Sequence, residues 1–175
     1  MEQKMMDINS RFDELLEDLK ESLSKETPAG CAEATFRHVS NILGIENQLI
    51  NNIMIPLSGG LGGYKSEKGW FGPCGAVVGG CAAVGAILGG KEKEPLGMNL
   101  IPVAYMKSAQ FAKDFEKEFG TVLCPELSGY DFSDPSAMME YMEKGIWGKT
   151  CYKYVLWAID NVRKLMKSEL EKNWE

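Results

Sequence analysis

From Gly69 to Gly90 the chain runs 22 residues without a charged side chain, and most of what fills the stretch is glycine, alanine and valine. A segment with no polar face must be covered on every side, by lipid or by protein. Lipid is the poorer reading: a span needs about 20 consecutive apolar residues, whereas Pro73 interrupts this run and its glycines hold down its hydropathy. The stretch therefore predicts a central helix over about Cys74 to Leu88, packed on all sides by other helices. Gly75, Gly79, Ala82, Ala83 and Ala86 would let neighbouring backbones come close.

The flanking sequence supplies those neighbours. Phe12, Leu15, Leu16, Leu19 and Leu23 recur at three- and four-residue steps, one apolar stripe over about residues 7–25. Thr27-Pro28 reads as an N-cap followed by proline, opening a helix that runs to about Leu43 and stops at Gly44. A shorter helix is expected from Glu46 to Ile55, ahead of Pro56. Residues 57–73 read as a loop. Ile101, Ala104, Tyr105, Ser108, Phe111, Ala112, Phe115 and Phe119 form a strong stripe that ends at Gly120. Asp134-Pro135 caps another helix, to about Gly145, and Thr150 caps a last one carrying Val155, Ile159, Val162, Met166 and Leu170 on one side. No period-two strand, repeat or dividing linker is visible. The expectation is an all-α fold: a single domain over residues 1–175, with six or seven helices around a small-residue centre.

Charge and cysteine usage narrow the function. A net charge of −6 argues against a nucleic-acid groove, which needs a concentrated basic face. Residues 1–26 hold eight acids and four bases, unlike a signal or transit peptide. Five cysteines cannot all pair, so the expected setting is a reducing cytoplasm.

Placing the thiols on the helices is more informative. Cys31, Cys74 and Cys151 fall at predicted helix N-termini, where free N–H groups and the dipole favour thiolate. Cys124 sits in the loop after Gly120, also free to offer a ligand. Cys81 is seven residues beyond Cys74, about 10 Å along the helix, and reads as a small buried hydrophobe. The four candidates are separated by 43, 50 and 27 positions with no CxxC, so spacing alone defines no metal motif. Inert core cysteines, a metal site and thiol–disulfide chemistry all stay open at this point.

Cys31-Ala32-Glu33-Ala34, then Cys74-Gly75-Ala76-Val77-Val78-Gly79, then Phe119 to Gly129 with Cys124-Pro125, then Cys151 occur in order, with the Gly59–Gly63 loop before the second element. The set resembles the redox-active family named for its cysteine pattern, C_GCAxxG_C_C, over roughly residues 28–162. The resemblance implies a small helical prokaryotic protein whose four motif cysteines, here Cys31, Cys74, Cys124 and Cys151, converge. That family in turn resembles the cluster-carrying part of split-Soret cytochromes, which implies an iron–sulfur cluster, [2Fe–2S] or [4Fe–4S], on those four residues, serving electron transfer or redox sensing. No CxxCH is present, so no haem portion is expected, and Cys81 matches no family cysteine. Four thiolates are the usual complement of such a cluster. A Cys₄ zinc site would use the same ligands, though with unusually wide spacing. A metal-free thiol–disulfide oxidoreductase is the alternative, and a helical scaffold with inert cysteines a third.

The remaining features take plainer readings. His38, seven residues after Cys31, is read first as a structural histidine and second as a fifth ligand or proton carrier. The Gly59–Gly63 loop lacks the spacing and preceding strand of a phosphate loop. Tyr64, Trp70 and Phe71 are read as core aromatics, with a cover over the cysteine pocket as the second reading. The ten methionines are read as gap fillers. A redox partner protein is expected, a homodimer is possible, and neither nucleic acid nor membrane is.

Overall fold

The protein is described by a computed structural model covering residues 7–26, 28–91 and 95–174. Nine α-helices occur among these residues: α1 (Ile8–Ser22), α2 (Cys31–Ile42), α3 (Gln48–Met54), α4 (Gly75–Gly89), α5 (Ile101–Phe119), α6 (Cys124–Ser128), α7 (Pro135–Glu143), α8 (Tyr152–Leu165) and α9 (Lys167–Asn173). No strand is present among the described residues, only two isolated antiparallel bridges, Lys65 with Phe71 and Pro73 with Leu123. No described helix is long and apolar enough to cross a membrane.

Helix α4 is the predicted central element. None of its residues is exposed, and it packs against α2, α5, α8 and α9. Its glycines set how close those partners come. A Cβ on Gly79 would lie 2.6 Å from the Ala32 carbonyl oxygen and 2.8 Å from Thr35 Cβ, and one on Gly80 would collide with the Phe111 ring. Two faces of α4 are thus shaped for α2 and α5. Gly85 and Gly89, by contrast, have nothing within 4 Å of a Cβ.

The amphipathic stripes close around this centre. Ile8, Phe12, Leu16, Leu19 and Leu23 are buried, as are Val155, Ile159, Val162, Met166 and Leu170, each contributing about 1.5–3 kcal/mol on leaving water. Phe115, Phe119, Tyr154 and Trp157 interlock with centroids 4.7–5.9 Å apart, joining α5 to α8. The Trp174 indole donates to the Ile87 carbonyl (2.9 Å), fastening the chain's last turn to α4.

Several boundaries differ from the sequence expectations. Helix α2 begins at Cys31, three residues after Pro28; Thr27, the expected cap, lies outside the described residues. Leu123-Cys124-Pro125 opens the one-turn helix α6 instead of remaining loop. Thr150 caps nothing: it sits inside a π-helical turn, Trp147–Cys151, that runs straight into α8. The Trp147 indole holds that turn to the Leu23 carbonyl (2.9 Å). The last helix also breaks at Met166 (φ −106°, ψ 17°), dividing α8 from α9. These changes turn the expected six or seven helices into nine.

The expected loop 57–73 contains the least regular backbone. Gly59, Gly60, Leu61 and Gly62 all hold positive φ (57–72°) and ψ, one left-handed turn. Glycine adopts this conformation freely, whereas Leu61 bears a cost of roughly 1–2 kcal/mol for the Cβ–carbonyl clash. Trp70 and Tyr64 are exposed at 73% and 55%, so neither is the core aromatic that was expected.

Candidate functional site

Four of the five cysteines stand at the ends or turns of separate elements. Cys31 is the first residue of α2, Cys74 the N-cap of α4, Cys124 the first residue of α6, and Cys151 the last of the π turn. Cys31, Cys74 and Cys151 all stand at helix starts, as expected from the sequence, although Cys151 reaches α8 through the π turn, and Cys124 adds a fourth.

Two devices bring the thiols together. The first is the close approach of α2 to α4. A Cβ on Gly75 would strike Cys31 Sγ and lie 2.8 Å from the Ala32 nitrogen. Only glycine lets α4 begin directly beneath the first turn of α2. The same region lacks a local cap: Gly30 has no side chain to offer, and the Ser58 hydroxyl accepts from Ala32 N–H (3.0 Å) across 26 positions. A Cβ on Gly30 would occupy the place of that hydroxyl.

The second device is the bridge between Pro73 and Leu123. Cys74 N–H donates to the Val122 carbonyl (2.7 Å) and Cys124 N–H to the Gly72 carbonyl (3.1 Å). Two reciprocal bonds thereby register the start of α4 against the start of α6. The left-handed turn backs onto this bridge. A Cβ on Gly60 would sit 3.0 Å from Cys124 Cβ and 3.2 Å from the Gly72 carbonyl oxygen.

Cys31 is the hub of the resulting group. Its charge is felt at Cys74, Cys124 and Cys151, Cys124 acts on Cys74, and Cys151 acts on Cys124. Cys74 and Cys124 are buried, while Cys31 and Cys151 are partly exposed. A hydrogen bond from Cys74 draws Cys31 down to about 6, against the effect of burial and with help from the N–H groups of Gly59 and Gly75. The same bond, burial and the neighbouring sulfurs push Cys74 up. Together the pair gives up one proton readily and the second with difficulty. Burial pushes Cys124 up to about 12, with Cys31 and Cys151 adding repulsion and Ser128 opposing. Burial also raises Cys151, to about 11, where the Tyr141 hydroxyl works in the other direction by hydrogen bonding to the sulfur.

Two tyrosines complete the surroundings. Tyr141, on α7, is wedged edge-on against Tyr130 and Phe132 (centroids 5.8 and 5.1 Å). Burial and the thiols Cys151, Cys31 and Cys124 raise its hydroxyl. Tyr154, on α8, donates to the Leu127 carbonyl (3.0 Å) and feels Cys151, Cys74 and Cys124. Neither was legible as a site residue: each reaches the thiols from a helix face whose periodicity reads only as packing. The one available signal was that Tyr154 lies three residues beyond Cys151.

The other candidates lie elsewhere. Cys81 donates weakly to the Ser108 carbonyl on α5 (3.7 Å), about 10 Å along α4 from Cys74. His38, two turns up α2 from Cys31, is buried beside Arg37, with Nε2 3.8 Å from Glu26 and no hydrogen bond. Burial first, then Arg37, takes it down to about 4. Among the described residues, no three Cys, His, Asp or Glu side chains are placed to hold a single metal ion. The thiols are gathered around a region rather than focused on a point.

Fold and site together define a helical protein in which Cys31 acts on three further thiols of unequal acidity. Over residues 29–165 the chain matches the family described as "Putative redox-active protein (C_GCAxxG_C_C)", and it belongs to that family. No curated protein and no solved structure matches. Taken to the letter, GCAxxG is met by Gly80–Gly85, whereas Cys74–Gly79 reads CGAVVG. The geometry separates the two, since Cys74 joins the other three thiols and Cys81 faces Ser108.

Proposed function

We propose that this member of the redox-active family holds an iron–sulfur cluster, [2Fe–2S] or [4Fe–4S], on Cys31, Cys74, Cys124 and Cys151, for electron transfer or redox sensing. The observation that carries the reading is that the Cys74, Cys124 and Cys151 sulfurs, each from a separate element, all lie within electrostatic reach of Cys31. Cysteines serving only as small apolar fillers gain nothing from this arrangement, because each buried thiolate makes the next harder to form. A cluster takes four thiolate ligands and, when bound, supplies an electron-transfer couple.

The chain's own residues suit that occupant. Gly60 and Gly75 leave open the space beside Cys124 and Cys31 that a Cβ would fill. The N–H groups of Gly59 and Gly75 point at the Cys31 sulfur and the Tyr141 hydroxyl at Cys151. Such hydrogen bonds delocalise sulfur charge and set the potential of a bound centre. All five cysteines are free, which suits a reducing, cytoplasmic setting. A partner redox protein is the counterpart this function requires.

Anaerobic purification tests the proposal. The expected result is a brown protein with bound iron and sulfide, bleached by reduction. Serine at any of the four positions should abolish iron binding, whereas Cys81→Ser should retain it. A colourless, iron-free preparation, before and after anaerobic reconstitution, would refute the cluster.

A further inference from the structure

The four thiols are not equivalent in reach or in partners. Cys31 and Cys151 are partly exposed, while Cys74 and Cys124 are buried. Cys151 has the Tyr141 hydroxyl as its hydrogen-bond partner and Cys124 has Ser128. Only Cys31 is both partly exposed and hydrogen-bonded to a second thiol, that of Cys74. The contact is enforced from both sides. Gly75 carries no Cβ, so α4 starts directly under Cys31. Ser58 fixes the first turn of α2 through Ala32 N–H, and the Val122 carbonyl fixes Cys74 N–H.

We infer that, when no cluster is bound, Cys31 and Cys74 work as a dithiol that exchanges with low-molecular-weight disulfides, Cys31 attacking and Cys74 resolving. The Cys31 thiolate attacks one sulfur of the disulfide RS–SR. That S–S bond breaks, its electron pair leaves with RS⁻, and Cys31 is left as the mixed disulfide. Cys74, giving its proton to solvent, attacks Cys31 Sγ and expels the second RS⁻. One external disulfide is reduced to two thiols and the protein dithiol is oxidised to a Cys31–Cys74 disulfide. The buried position of Cys74 protects it from direct attack while leaving it in contact with the one sulfur it must reach.

This inference deepens the cluster reading and rests on it for its consequence: oxidation consumes two of the four ligands, so the oxidised chain cannot take up iron. The same residues would then make cluster assembly conditional on the thiol–disulfide balance.

The test uses the full metal-free chain and oxidised glutathione. Mass spectrometry should show the loss of two hydrogens, with peptide mapping linking Cys31 to Cys74. Cys74→Ser should stop at one glutathione adduct on Cys31, and Cys31→Ser should do neither. Cys74→Ala repeats the arrest without a hydroxyl, and far-UV circular dichroism checks that each variant is folded. A link between any other pair, or an unimpeded intramolecular disulfide in Cys74→Ser, overturns the assignment. Iron uptake is read separately, before oxidation, after it, and after dithiothreitol. A chain that forms the Cys31–Cys74 link but never takes iron sinks the cluster alone. One that takes iron but does not form the link sinks the dithiol alone. Equal iron uptake by the reduced and oxidised chains overturns the coupling between them.

Discussion

Two glycines on α4 separate packing from helix propensity within one element. A Cβ on Gly79 would lie 2.6 Å from the Ala32 carbonyl oxygen, 2.8 Å from Thr35 Cβ and 3.2 Å from Ala32 Cα, whereas one on Gly85 would meet nothing within 4 Å. Both residues have helical backbone, so alanine gains up to about 1 kcal/mol of propensity at either. At Gly85 that gain stands alone. At Gly79 the contact atoms belong mostly to backbone, which cannot rotate away, so α2 must shift bodily. Overpacking of this kind costs typically 1–3 kcal/mol; taking about 2–3 for a clash with backbone leaves a net loss of about 1–2 kcal/mol. For a chain of this size 1 kcal/mol moves Tm by about 2–4 °C. Gly85→Ala should therefore raise Tm by about 2–4 °C and Gly79→Ala lower it by about 2–8 °C, measured by far-UV circular dichroism on metal-free, reduced protein. Because α2 carries Cys31, Gly79→Ala should also slow oxidative linkage of Cys31 to Cys74. Shifts of the same sign in the two variants would show that the contact of α2 with α4 is not set by small residues.

Other perturbations probe the surroundings of the site. Ser58→Ala removes the cap on Ala32 N–H and should cost about 1 kcal/mol in urea unfolding; an unchanged midpoint would mean that water replaces the hydroxyl. His38 is held neutral by burial down to about pH 4, while an unfolded histidine protonates near pH 6.5. Between those values the unfolded chain binds the extra proton. The contribution to stability is thus complete above about pH 6.5 and falls as pH is lowered toward 4, by on the order of 3 kcal/mol. His38→Gln should flatten the pH profile in that window, and an identical profile would sink the reasoning. Tyr141→Phe removes a hydroxyl that favours the Cys151 thiolate, a bond of the charged class worth about 1.5–3 kcal/mol. Iodoacetamide labelling of Cys151 should slow roughly tenfold at fixed pH; an equal or faster rate contradicts the hydrogen bond.

Local signals carried much of the fold. The stripes that became α1, α5 and α8 were visible because burial of one face imposes a period that needs no knowledge of the partner. The stops at Gly44 and Gly120 were equally legible, since both hold positive φ (68° and 83°), a demand made by the residue itself. The absence of charge from Gly69 to Gly90 announced α4 as the centre. The order of the cysteines supplied the family.

What stayed hidden was whatever one segment does for another far along the chain. Nothing near Cys31 reveals that Ser58 caps α2, because the donor and acceptor are 26 positions apart. The short helix that Cys124 opens does carry local marks, Pro125 in its first turn and Gly129 with positive φ at its end, but nothing near it reveals the bridge from Leu123 to Pro73 that sets it beside α4. Cys151 looked like a capped helix start and lies in a π turn, one that Trp147 ties to Leu23. Tyr141 carried no signal in the sequence, yet its hydroxyl reaches the Cys151 sulfur. Periodicity, caps and turn residues are short-range physics, and they determined that this chain is helical and where most of its helices run; the four candidate cysteines came from the family resemblance. That Cys31 touches Cys74, that Cys124 and Cys151 join them, and that Cys81 does not was decided only when α2, α4, α6 and the π turn met, because a sulfur's acidity depends on the charges and N–H groups that packing brings beside it.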